Sequence, residues 1–432
     1  MEKALFWHRR DLRIHDNSGL FKALSSDYKI QPVFIFDTSI LDKLPRDDKR
    51  IIFIHNELQF IKKQYQKFKS DLIVLVGNPT EVIPQLMEEG QFSALYTNRD
   101  YEPYAKQRDS HIFNQLAKVS KPFIGSKDHV IFEKEEVMKD DGSPYTVFTP
   151  YSKKWKSKLS TQAFEYAPSE NHLDNLLTCE SQPLVSLEEL GFNETSEGIF
   201  PQKEITLDQI KNYAQLRDIP SENGTSRLSI HLRFGTISIR ELAKKAIQIS
   251  DTYLNELIWR DFYQMIIYHF PTSVTTAFKP KYDLVEWENN ENHFHAWCEG
   301  KTGYPLVDAG MRELNETGFM HNRVRMVVAS FLTKHLLIDW RWGEAYFAEK
   351  LLDFELASNV GGWQWAASSG CDAAPYFRVF NPYSQQEKFD KSLKYIKKWV
   401  PEYGTDDYPE PIVDHTFARN RVLDRYKKAL TT

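Results

Sequence analysis

The sequence predicts an α/β domain built on a parallel sheet, followed by a domain that consists only of helices. In the first 130 residues, short apolar runs rich in β-branched and aromatic side chains alternate with longer segments of helical period. This alternation is typical of βαβ units, which form a Rossmann-like parallel sheet buried on both faces. Beyond residue 200 the apolar residues recur instead at helical spacing. We therefore expect an α/β domain at 1–130, a connector at 131–200 and a helical domain at 201–432.

Four apolar runs have the length of strands, at residues 4–7, 33–36, 72–76 and 94–96. The first is followed by His8 and Arg9 without a G-x-G-x-x-G motif, so a nicotinamide-binding site is not expected at this end of the sheet. Prolines punctuate the connector, which has a turn signal at 140–144. The main segments of helical period are residues 207–216, 239–249, 251–268, 304–314, 322–337 and 344–352.

Composition excludes several classes of protein. The formal net charge of -5 argues against a protein that coats nucleic acid through a strongly basic field. The longest apolar runs are about five residues, far short of the ~20 that cross a bilayer, and the N-terminus lacks the apolar core of a secretory signal. The 3 scattered cysteines are too few for a disulfide framework or a zinc site, so no metal is expected. We expect a globular protein of the reducing cytoplasm with no membrane partner.

Aromatic residues make up 14% of the chain, which fits either a large core or rings that stack on a planar ligand. Glu256, Trp259, Arg260 and Tyr263 fall at i, i+3, i+4 and i+7 of a predicted helix and therefore share one face. A carboxylate, an indole, a guanidinium and a phenol on one face predict a pocket wall for planar, polar rings. A solvated surface with an i,i+4 salt bridge is the alternative.

Three more segments are candidates for ligand binding. Asn322, Arg325 and Met326 share a face of another predicted helix. Residues 224–229 (GTSRLS) offer hydroxyls, a guanidinium and backbone N–H groups suited to a phosphate or pyrophosphate, although a simple helix cap would use the same residue types. The paired glycines between Asn359 and Trp363 permit close approach of a flat ligand, and a helix would place these two residues one turn apart.

Longer motifs extend in order over essentially the whole chain. They are WHRRDLRIHDN (7–17), YTVFTP (145–150), WRDFY (259–263), KTGYPLVDAGMR (301–312), MHNRVRM (320–326), NVGGWQW (359–365), DAAPYFR (372–378) and FNPYSQ (380–385). Together they resemble the photolyase/cryptochrome family, most closely its class I cyclobutane pyrimidine dimer photolyases. This resemblance, rather than composition or spacing, implies the cofactor, the substrate and the roles of individual residues.

The resemblance implies that the helical domain is an FAD-binding domain, active with reduced FAD. The residues matching those that hold the pyrophosphate and ribityl side are Tyr213, Thr225, Ser226, Arg227, Leu228 and Ser229. Those around the isoalloxazine ring are Arg325, Asp353, Glu355 and Asn359, with Asn359 facing N5. Those matching the chain of indoles that carries electrons between the flavin and the surface are Trp363, Trp340 and Trp287.

The same resemblance implies light-driven repair of pyrimidine dimers in UV-damaged DNA. The dimer must leave the base stack to reach a buried flavin. Excited reduced FAD would then donate an electron, and Glu256 would stabilise the radical anion by hydrogen bonding where charge develops. The remaining substrate set comprises the walls Trp259, Met326 and Trp365, the dimer or phosphate contacts Asn322, Arg323, Arg378 and Gln385, and Arg260 and Tyr263 on the face of Glu256.

Some positions depart from the family pattern. Glu355 stands where relatives commonly carry Asp, so a longer or shifted contact is expected at the flavin edge. Tyr253 stands where a Trp is often found. Tyr104 and Ala105 replace the Asn and Glu of members with a folate antenna, which argues against folate. A deazaflavin, a second flavin or no antenna remain open.

Three alternatives compete with dimer repair. A cryptochrome shares the fold and the flavin, but plant-type photoreceptors typically place Asp at Asn359 and animal ones Cys. A (6-4) photolyase usually carries His at the positions of Asn322 and Met326. A flavoprotein without photochemistry, or a pure DNA-binding module, leaves the aligned Trp287, Trp340 and Trp363 unexplained. We therefore expect a monomeric carbon–carbon lyase of a prokaryotic cytoplasm, associated with the nucleoid when bound to DNA.

Overall fold

The computed structural model describes residues 2–159, 161–193 and 200–431. Within the predicted connector, residues 160 and 194–199 lie outside the described residues, as does Thr432 at the end of the predicted helical domain. None of the helices in these described ranges is long and apolar enough to cross a membrane.

The chain forms two compact units that are interleaved along the sequence. The first comprises Met1–Val137, Trp155–Glu204 and Arg227–Gln248, and the second comprises Met138–Lys154, Ile205–Ser226 and Ile249–Thr432. The predicted boundaries at 130 and 200 follow chain order, whereas the structure divides the connector between both units. It also assigns residues 227–248, predicted to be part of the helical domain, to the first unit.

Residues 227–248 belong to the first unit because buried polar contacts hold them there. The backbone N–H of Leu12 donates to the Phe234 carbonyl over 2.9 Å. The Arg240 guanidinium pairs with Asp16 at 3.0 Å and with Asp128 at 2.9 Å, and all three side chains are buried. Arg240 supplies positive charge to two buried carboxylates, so moving this segment away would leave their negative charge less compensated.

The first unit is built on a parallel sheet with strand order β3-β2-β1-β4-β5. Its strands are β1 Lys3–His8, β2 Lys29–Asp37, β3 Ile73–Gly77, β4 Ala94–Asn98 and β5 Phe123–Ser126. The four predicted strands and the predicted fold class are confirmed, and β5 is an additional strand. The strand order reverses between β1 and β4, which makes this the topological switch point of the sheet.

The helices of the first part of the chain are α1 Ser18–Leu24, α2 Thr38–Leu41, α3 Lys49–Gln66, α4 Pro79–Glu89, α5 Pro103–Lys118 and α6 Phe148–Ser157. Those that come next are α7 Leu207–Lys211, α8 Tyr213–Leu216, α9 Ser229–Phe234, α10 Ile239–Ile249, α11 Asp251–His269, α12 Glu291–Cys298 and α13 Pro305–Thr317. The last are α14 Asn322–Ser330, α15 Trp340–Lys350, α16 Leu356–Ala366, α17 Pro382–Phe389, α18 Lys394–Trp399 and α19 His415–Thr431. Short 3₁₀ turns lie at Thr161–Phe164, Ser169–Asn175, Pro271–Val274 and Pro280–Leu284.

The helix predicted at 322–337 is divided, which corrects the prediction. Helix α14 ends at Ser330 and continues as a π-helical turn, Phe331–His335. Leu337 then adopts a φ of +50°, a left-handed conformation that a right-handed helix cannot include. Apolar periodicity continues through both parts, which is why the sequence pattern does not reveal the break.

A large hydrophobic cluster fills the second unit. Trp297, Trp340 and Trp363 are fully buried in it, among aliphatic side chains from α13, α14 and α16. Trp287 and Trp365 are partly buried and pack against the same cluster. In the first unit the core instead lies on the sheet, around Leu5, Trp7 and Leu95.

Candidate active site

One face of α11 carries most of the polar side chains of the candidate site. Ser250 caps this helix, since its side chain accepts a hydrogen bond from the Tyr253 N–H. The Glu256 carboxylate is about one-third exposed and accepts a hydrogen bond from the Arg217 guanidinium, with Oε1 at 2.5 Å. Partial burial raises the pKa of Glu256, although the Arg217 charge opposes this shift. The face predicted as a pocket wall is therefore polar and partly open, and Glu256 Oε2 has no hydrogen-bond partner within the described part of the chain.

Arg217 and the next residue, Asp218, link α11 to α14. Arg217 holds Glu256, while the Asp218 carboxylate accepts a hydrogen bond of 2.8 Å from Arg323 on α14. The Arg323 guanidinium also lies 4.3 Å from the centre of the Phe389 ring. Neither Arg217 nor Asp218 was identified from the sequence, because nothing in a local pattern relates them to partners so far along the chain.

Trp259, one turn after Glu256, has an aromatic partner that the sequence did not reveal. Its ring stacks on Phe148 with centroids 3.8 Å apart and planes 3° from parallel. The Phe148 N–H donates to the Asp372 carboxylate over 3.1 Å, which fixes the backbone of this residue. The Tyr263 ring also lies near Trp259, with centroids 5.4 Å apart and planes tilted by 33°. The stack on Phe148 thus holds Trp259 in one orientation.

Arg260 follows Glu256 by one turn of α11 and has a different partner. It is buried, and its guanidinium pairs with the Glu355 carboxylate at 3.1 Å. Glu355 in turn accepts a hydrogen bond from Ser358. Arg260 therefore joins one of the residues predicted to surround the flavin, and this pair is a structural contact between α11 and the start of α16.

The first turns of α14 carry the predicted site residues Asn322, Arg323, Arg325 and Met326. Asn322 is exposed, and the His321 side chain caps the helix by accepting from the Arg323 N–H. The Met326 sulfur lies 3.7 Å from an Arg323 nitrogen, so these two predicted substrate residues are in contact. Arg325 points elsewhere: it donates to the Met320 carbonyl at 2.7 Å and pairs with Asp353 at 2.9 Å. This ion pair brings together two of the residues predicted to surround the isoalloxazine ring.

Asn359 is oriented by a residue that the sequence did not single out. Its Nδ2 donates to the backbone carbonyl of Glu344 at 3.0 Å and to the Glu344 carboxylate at 2.9 Å. Burial raises the pKa of Glu344, with the Asn359 hydrogen bond acting against this shift. Because both donated bonds use Nδ2, Oδ1 has no partner among the described residues and can accept a hydrogen bond from a ligand.

Part of the predicted phosphate-binding set comes together in the second unit. The Tyr253 hydroxyl donates to the Ser226 hydroxyl over 3.1 Å, and the Tyr213 and Tyr253 rings meet edge to face at 5.0 Å. Thr225, which directly precedes Ser226 in the sequence, is half-buried. Arg227, Leu228 and Ser229 belong to the first unit, where Ser229 opens α9.

The three predicted electron-transfer indoles lie in or against one hydrophobic cluster. The Trp363 indole packs on the backbone of Gly343, which lies one turn after Trp340 on α15. A Cβ added to Gly343 would lie 2.1 Å from the Trp363 indole. Its nearest ring partners are Phe347 at 5.0 Å and Trp297 at 6.1 Å. Trp297 was not identified from the sequence, although it is fully buried and contacts Trp363 directly.

The remaining predicted DNA contacts lie after α16. Trp365 is half-buried and its ring centre lies 6.4 Å from that of Phe380. The exposed Arg378 guanidinium lies 5.3 Å from the centre of the same Phe380 ring. Gln385 is half-buried on α17. Trp365 and Arg378 therefore share Phe380 as a common support.

In the first unit, the positions relevant to an antenna carry no amide or carboxylate side chain. The Tyr104 hydroxyl donates to Asp37 at 2.5 Å, and Ala105 is buried. Nearby, the carboxyl end of β1 is occupied by a polar network in which Asp11 accepts from Asn98 at 2.7 Å and Arg9 pairs with Asp109 at 2.6 Å. The nature of any antenna stays open.

The donor and acceptor groups of the second unit fit FAD. An isoalloxazine ring needs donors and acceptors along its polar edge, for which the Arg325 guanidinium and the Asn359 Oδ1, unpartnered among the described residues, are chemically suited. The ribityl and phosphate groups need hydroxyl and N–H donors, which the segment around Ser226 offers. Among the described residues there is no cluster of His, Cys, Asp and Glu that could hold a metal ion.

Comparison with known proteins identifies the family. Residues 4–170 match the DNA photolyase family model, and residues 253–405 match the model of the FAD binding domain of DNA photolyase. A curated relative, the deoxyribodipyrimidine photo-lyase of Synechococcus sp., is 37% identical over 98% of this chain and 96% of its own length. These matches show that the chain belongs to the DNA photolyase family and binds FAD.

Solved structures agree with this assignment. A bacterial class III photolyase from Agrobacterium tumefaciens superposes with a TM-score of 0.88 at 31% identity, covering 100% of this chain and 98% of that one. An archaeal photolyase from Sulfolobus tokodaii, solved with two FAD molecules, superposes with a TM-score of 0.81 at 34% identity, covering 99% of this chain and 100% of that one. The assignment to class I within the family stays a prediction.

Proposed function

We propose that this protein is a deoxyribodipyrimidine photolyase, which splits cyclobutane pyrimidine dimers in UV-damaged DNA. The observation that carries the proposal is the linked pair Arg217–Asp218, which holds Glu256 on one side and Arg323 on the other. A carboxyl group assigned to the lesion and a guanidinium assigned to its phosphates are thereby held by two adjacent residues. The resident cofactor is FAD, for which the family match and the donor set both argue.

The residues assigned to the cofactor form two groups, one for its ribityl and phosphate side and one for its ring. We infer that Tyr213, Thr225 and Ser226 bind the ribityl and phosphate side, together with Arg227, Leu228 and Ser229. The Arg325–Asp353 pair, Glu355 and Asn359 are assigned to the ring. When bound, reduced FAD supplies the photoexcited electron that opens the cyclobutane ring and takes it back afterwards. Trp363, with Trp340 and Trp287 beyond it, is assigned to restoring the reduced cofactor.

The protein's own groups act on the lesion. Trp259, Met326 and Trp365 offer apolar and aromatic surface on which an extruded base pair can pack, and such stacking tolerates any sequence. Glu256 Oε2 has no hydrogen-bond partner among the described residues and is assigned to the dimer. A bond to a dimer carbonyl requires the protonated carboxyl as donor, a form that the raised pKa of Glu256 favours, and this donor would act where negative charge develops. Asn322, Arg323, Arg378 and Gln385 are assigned to the dimer and the neighbouring phosphates.

The direct test is repair of a defined oligonucleotide that contains one thymine dimer. Purified protein loaded with FAD and chemically reduced should restore the intact thymines under blue light and leave the dimer unchanged in the dark. A matched oligonucleotide with a (6-4) photoproduct should remain unrepaired. Repair of neither lesion in the light, with FAD bound and reduced, would favour a photoreceptor role and contradict the proposal.

We further propose that the protein acts as a monomer in the cytoplasm, on DNA and without a membrane partner. The modest negative charge of -5 agrees with binding through a local basic surface rather than through the whole protein. Light scattering on the FAD-loaded protein, with and without the dimer oligonucleotide, tests the monomer assignment. Binding should also weaken steeply with salt, since Arg323 and Arg378 are assigned to phosphates.

A further inference from the structure

A buried lysine lies in the π-helical turn that comes after α14. Lys334 is only 1% exposed, although it carries an amino group at the end of a long side chain. Its Nζ donates a hydrogen bond of 2.8 Å to the backbone carbonyl of Arg378. π-Helical turns are uncommon and recur at functional sites, because the extra residue redirects side chains that a regular helix would place elsewhere. Here the redirected side chain reaches a different segment of the chain.

The environment of Lys334 is unusual for a lysine. None of the ion pairs among the described residues includes it, so its buried amino group has no carboxylate partner there. Burial lowers the pKa of Lys334 to about 7, and the nearby Arg378 charge lowers it further in the same direction. Burying an ammonium without a carboxylate partner is unfavourable, so Lys334 costs stability here that an apolar side chain would not.

The segment that Lys334 holds has little regular structure of its own. Residues 370–381, between α16 and α17, form turns without a helix or strand. Their internal bonds include Arg378 N–H to the Pro375 carbonyl at 2.9 Å and Val379 N–H to the Phe377 carbonyl at 3.1 Å. The Tyr376 ring also stacks on Tyr426 of α19, with centroids 6.1 Å apart. Lys334 anchors this loop at Arg378 itself, the residue whose guanidinium is exposed beside Phe380.

We propose that Lys334 is a positioning residue for DNA repair, which fixes the backbone of Arg378 so that its guanidinium meets a phosphate beside the lesion. This inference rests on the proposed function, because it takes Arg378 as a DNA contact. Lys334 touches neither lesion nor cofactor; it acts through Arg378. The same π-helical turn comes after the helix that carries Arg323 and Arg325. One continuous stretch of chain therefore contains a residue assigned to the flavin ring, a residue assigned to the DNA phosphates, and the lysine that holds Arg378.

The variant Lys334→Met tests the proposal, because it keeps the length of the side chain, removes the donor and removes a buried charge. Replacing a buried amino group that has no carboxylate partner among the described residues by an apolar side chain of similar volume removes a desolvation cost, so this variant should fold. Lys334→Gln is the second variant, since it retains a polar donor on a shorter stem. Both are compared with Arg378→Ala and with the double variant Lys334→Met/Arg378→Ala, all loaded with FAD.

The first measurement needs no DNA. Amide hydrogen exchange in residues 371–380 should be about tenfold faster in Lys334→Met than in the original protein, because the loop loses its anchor. Exchange in α14 should be unchanged, and Arg378→Ala should leave the loop amides protected. Unchanged exchange in the loop of Lys334→Met would overturn the proposal.

The second measurement is the salt dependence of binding to a dimer-containing oligonucleotide. Arg378→Ala should reduce the slope of log K against log salt by about 1, as expected for one lost phosphate contact. Lys334→Met should reduce the slope in the same direction, Lys334→Gln should do so less, and Lys334→Met should add little once Arg378 is already Ala. A full additional loss in the double variant would show that Lys334 does not act through Arg378, which would overturn the proposal.

These outcomes are distinguishable from failure of the proposed function. If Arg378→Ala leaves the slope unchanged while the original protein repairs dimers, this inference is wrong and the repair function stands. If the original protein repairs no dimer in the light, the proposed function itself fails, whatever the loop does.

Discussion

Arg217 donates to Oε1 of Glu256 over 2.5 Å, although 39 residues separate them in sequence. This contact occupies one carboxylate oxygen and leaves the other for a ligand, so the residue we assign to the lesion has a fixed orientation before any DNA arrives. Fixed donors and acceptors need little reorganisation during the reaction, which is the condition for effective stabilisation of developing charge.

Replacing Glu256 should therefore slow repair without loss of FAD. We expect Glu256→Ala to lower the repair yield per photon several-fold, since it removes a hydrogen bond that strengthens as the dimer becomes charged. Glu256→Gln retains a group that can donate and should keep part of the activity. The measurement is repair of a dimer oligonucleotide at known light dose, with FAD content read from its absorbance. Equal loss of FAD would place Glu256 in the cofactor site instead.

The stack between Phe148 and Trp259 should support binding of the lesion. Phe148→Leu should weaken binding of the dimer oligonucleotide by about threefold to tenfold, because a stacked aromatic pair contributes about 0.5 to 1.5 kcal/mol beyond the area it buries. Phe148→Tyr preserves the stack and serves as the matched control. Titration of the oligonucleotide at constant salt gives the affinity. An undiminished affinity in Phe148→Leu would mean that Trp259 does not depend on this ring for its orientation.

Loss of Trp363 should separate light-driven cofactor reduction from repair. Trp363→Phe should abolish photoreduction of oxidised FAD, since phenylalanine is far harder to oxidise than tryptophan, and should leave repair intact after chemical reduction. Absorbance of the bound flavin during illumination tracks the first effect. Trp297→Phe is the informative comparison, because Trp297 also contacts Trp363. If this variant loses photoreduction as completely as Trp363→Phe, the predicted route through Trp340 and Trp287 is wrong.

The free energy of unfolding should decrease at pH values below about 6.5, because of His335. Burial lowers the pKa of this side chain to about 3, with the neighbouring His415 acting in the same direction. The unfolded chain, whose histidine has an ordinary pKa, therefore binds a proton that the folded protein excludes. The stabilising contribution is complete above about pH 6.5 and is lost as the pH falls toward 3, by roughly 1 kcal/mol for each pH unit.

Denaturant unfolding at pH 7.5 and pH 5.5 measures this effect. His335→Gln should make the free energy of unfolding less dependent on pH over that range, because glutamine does not titrate. His111→Gln is the matched control, since His111 is exposed on α5 and should leave the dependence unchanged. An identical pH dependence in His335→Gln and the original protein would show that another group is responsible.

Sequence patterns predicted most of the fold because local periodicity decides it. The alternation of strands and helices in the first 130 residues, and the long helix α11, could be predicted from apolar spacing. The break after α14 could not be predicted, because the π-helical turn keeps apolar residues at helical spacing while the backbone conformation changes at Leu337. The fifth strand also escaped prediction, because only Phe123 and Ile124 of its 4 residues are large and apolar.

The candidate site was predictable only in part. Residues on one helix face, such as Glu256 and Trp259, could be grouped by spacing, whereas the family resemblance supplied their roles. The supporting contacts could not be found this way: Asp218 meets Arg323 across 105 residues, and Lys334 reaches Arg378 across 44. A sequence shows which side chains share a helix, but tertiary packing decides which distant backbone or charge each one meets.

The return of residues 227–248 to the first unit limits how the protein can be divided and when it can fold. A fragment that ends at residue 130 would leave Asp16 and Asp128 without Arg240, and one that begins at residue 201 would carry Arg240 without them. Neither half is therefore a sound expression target. On the ribosome, the sheet unit stays incomplete until Gln248 has emerged, by which time more than half of the chain has been synthesised.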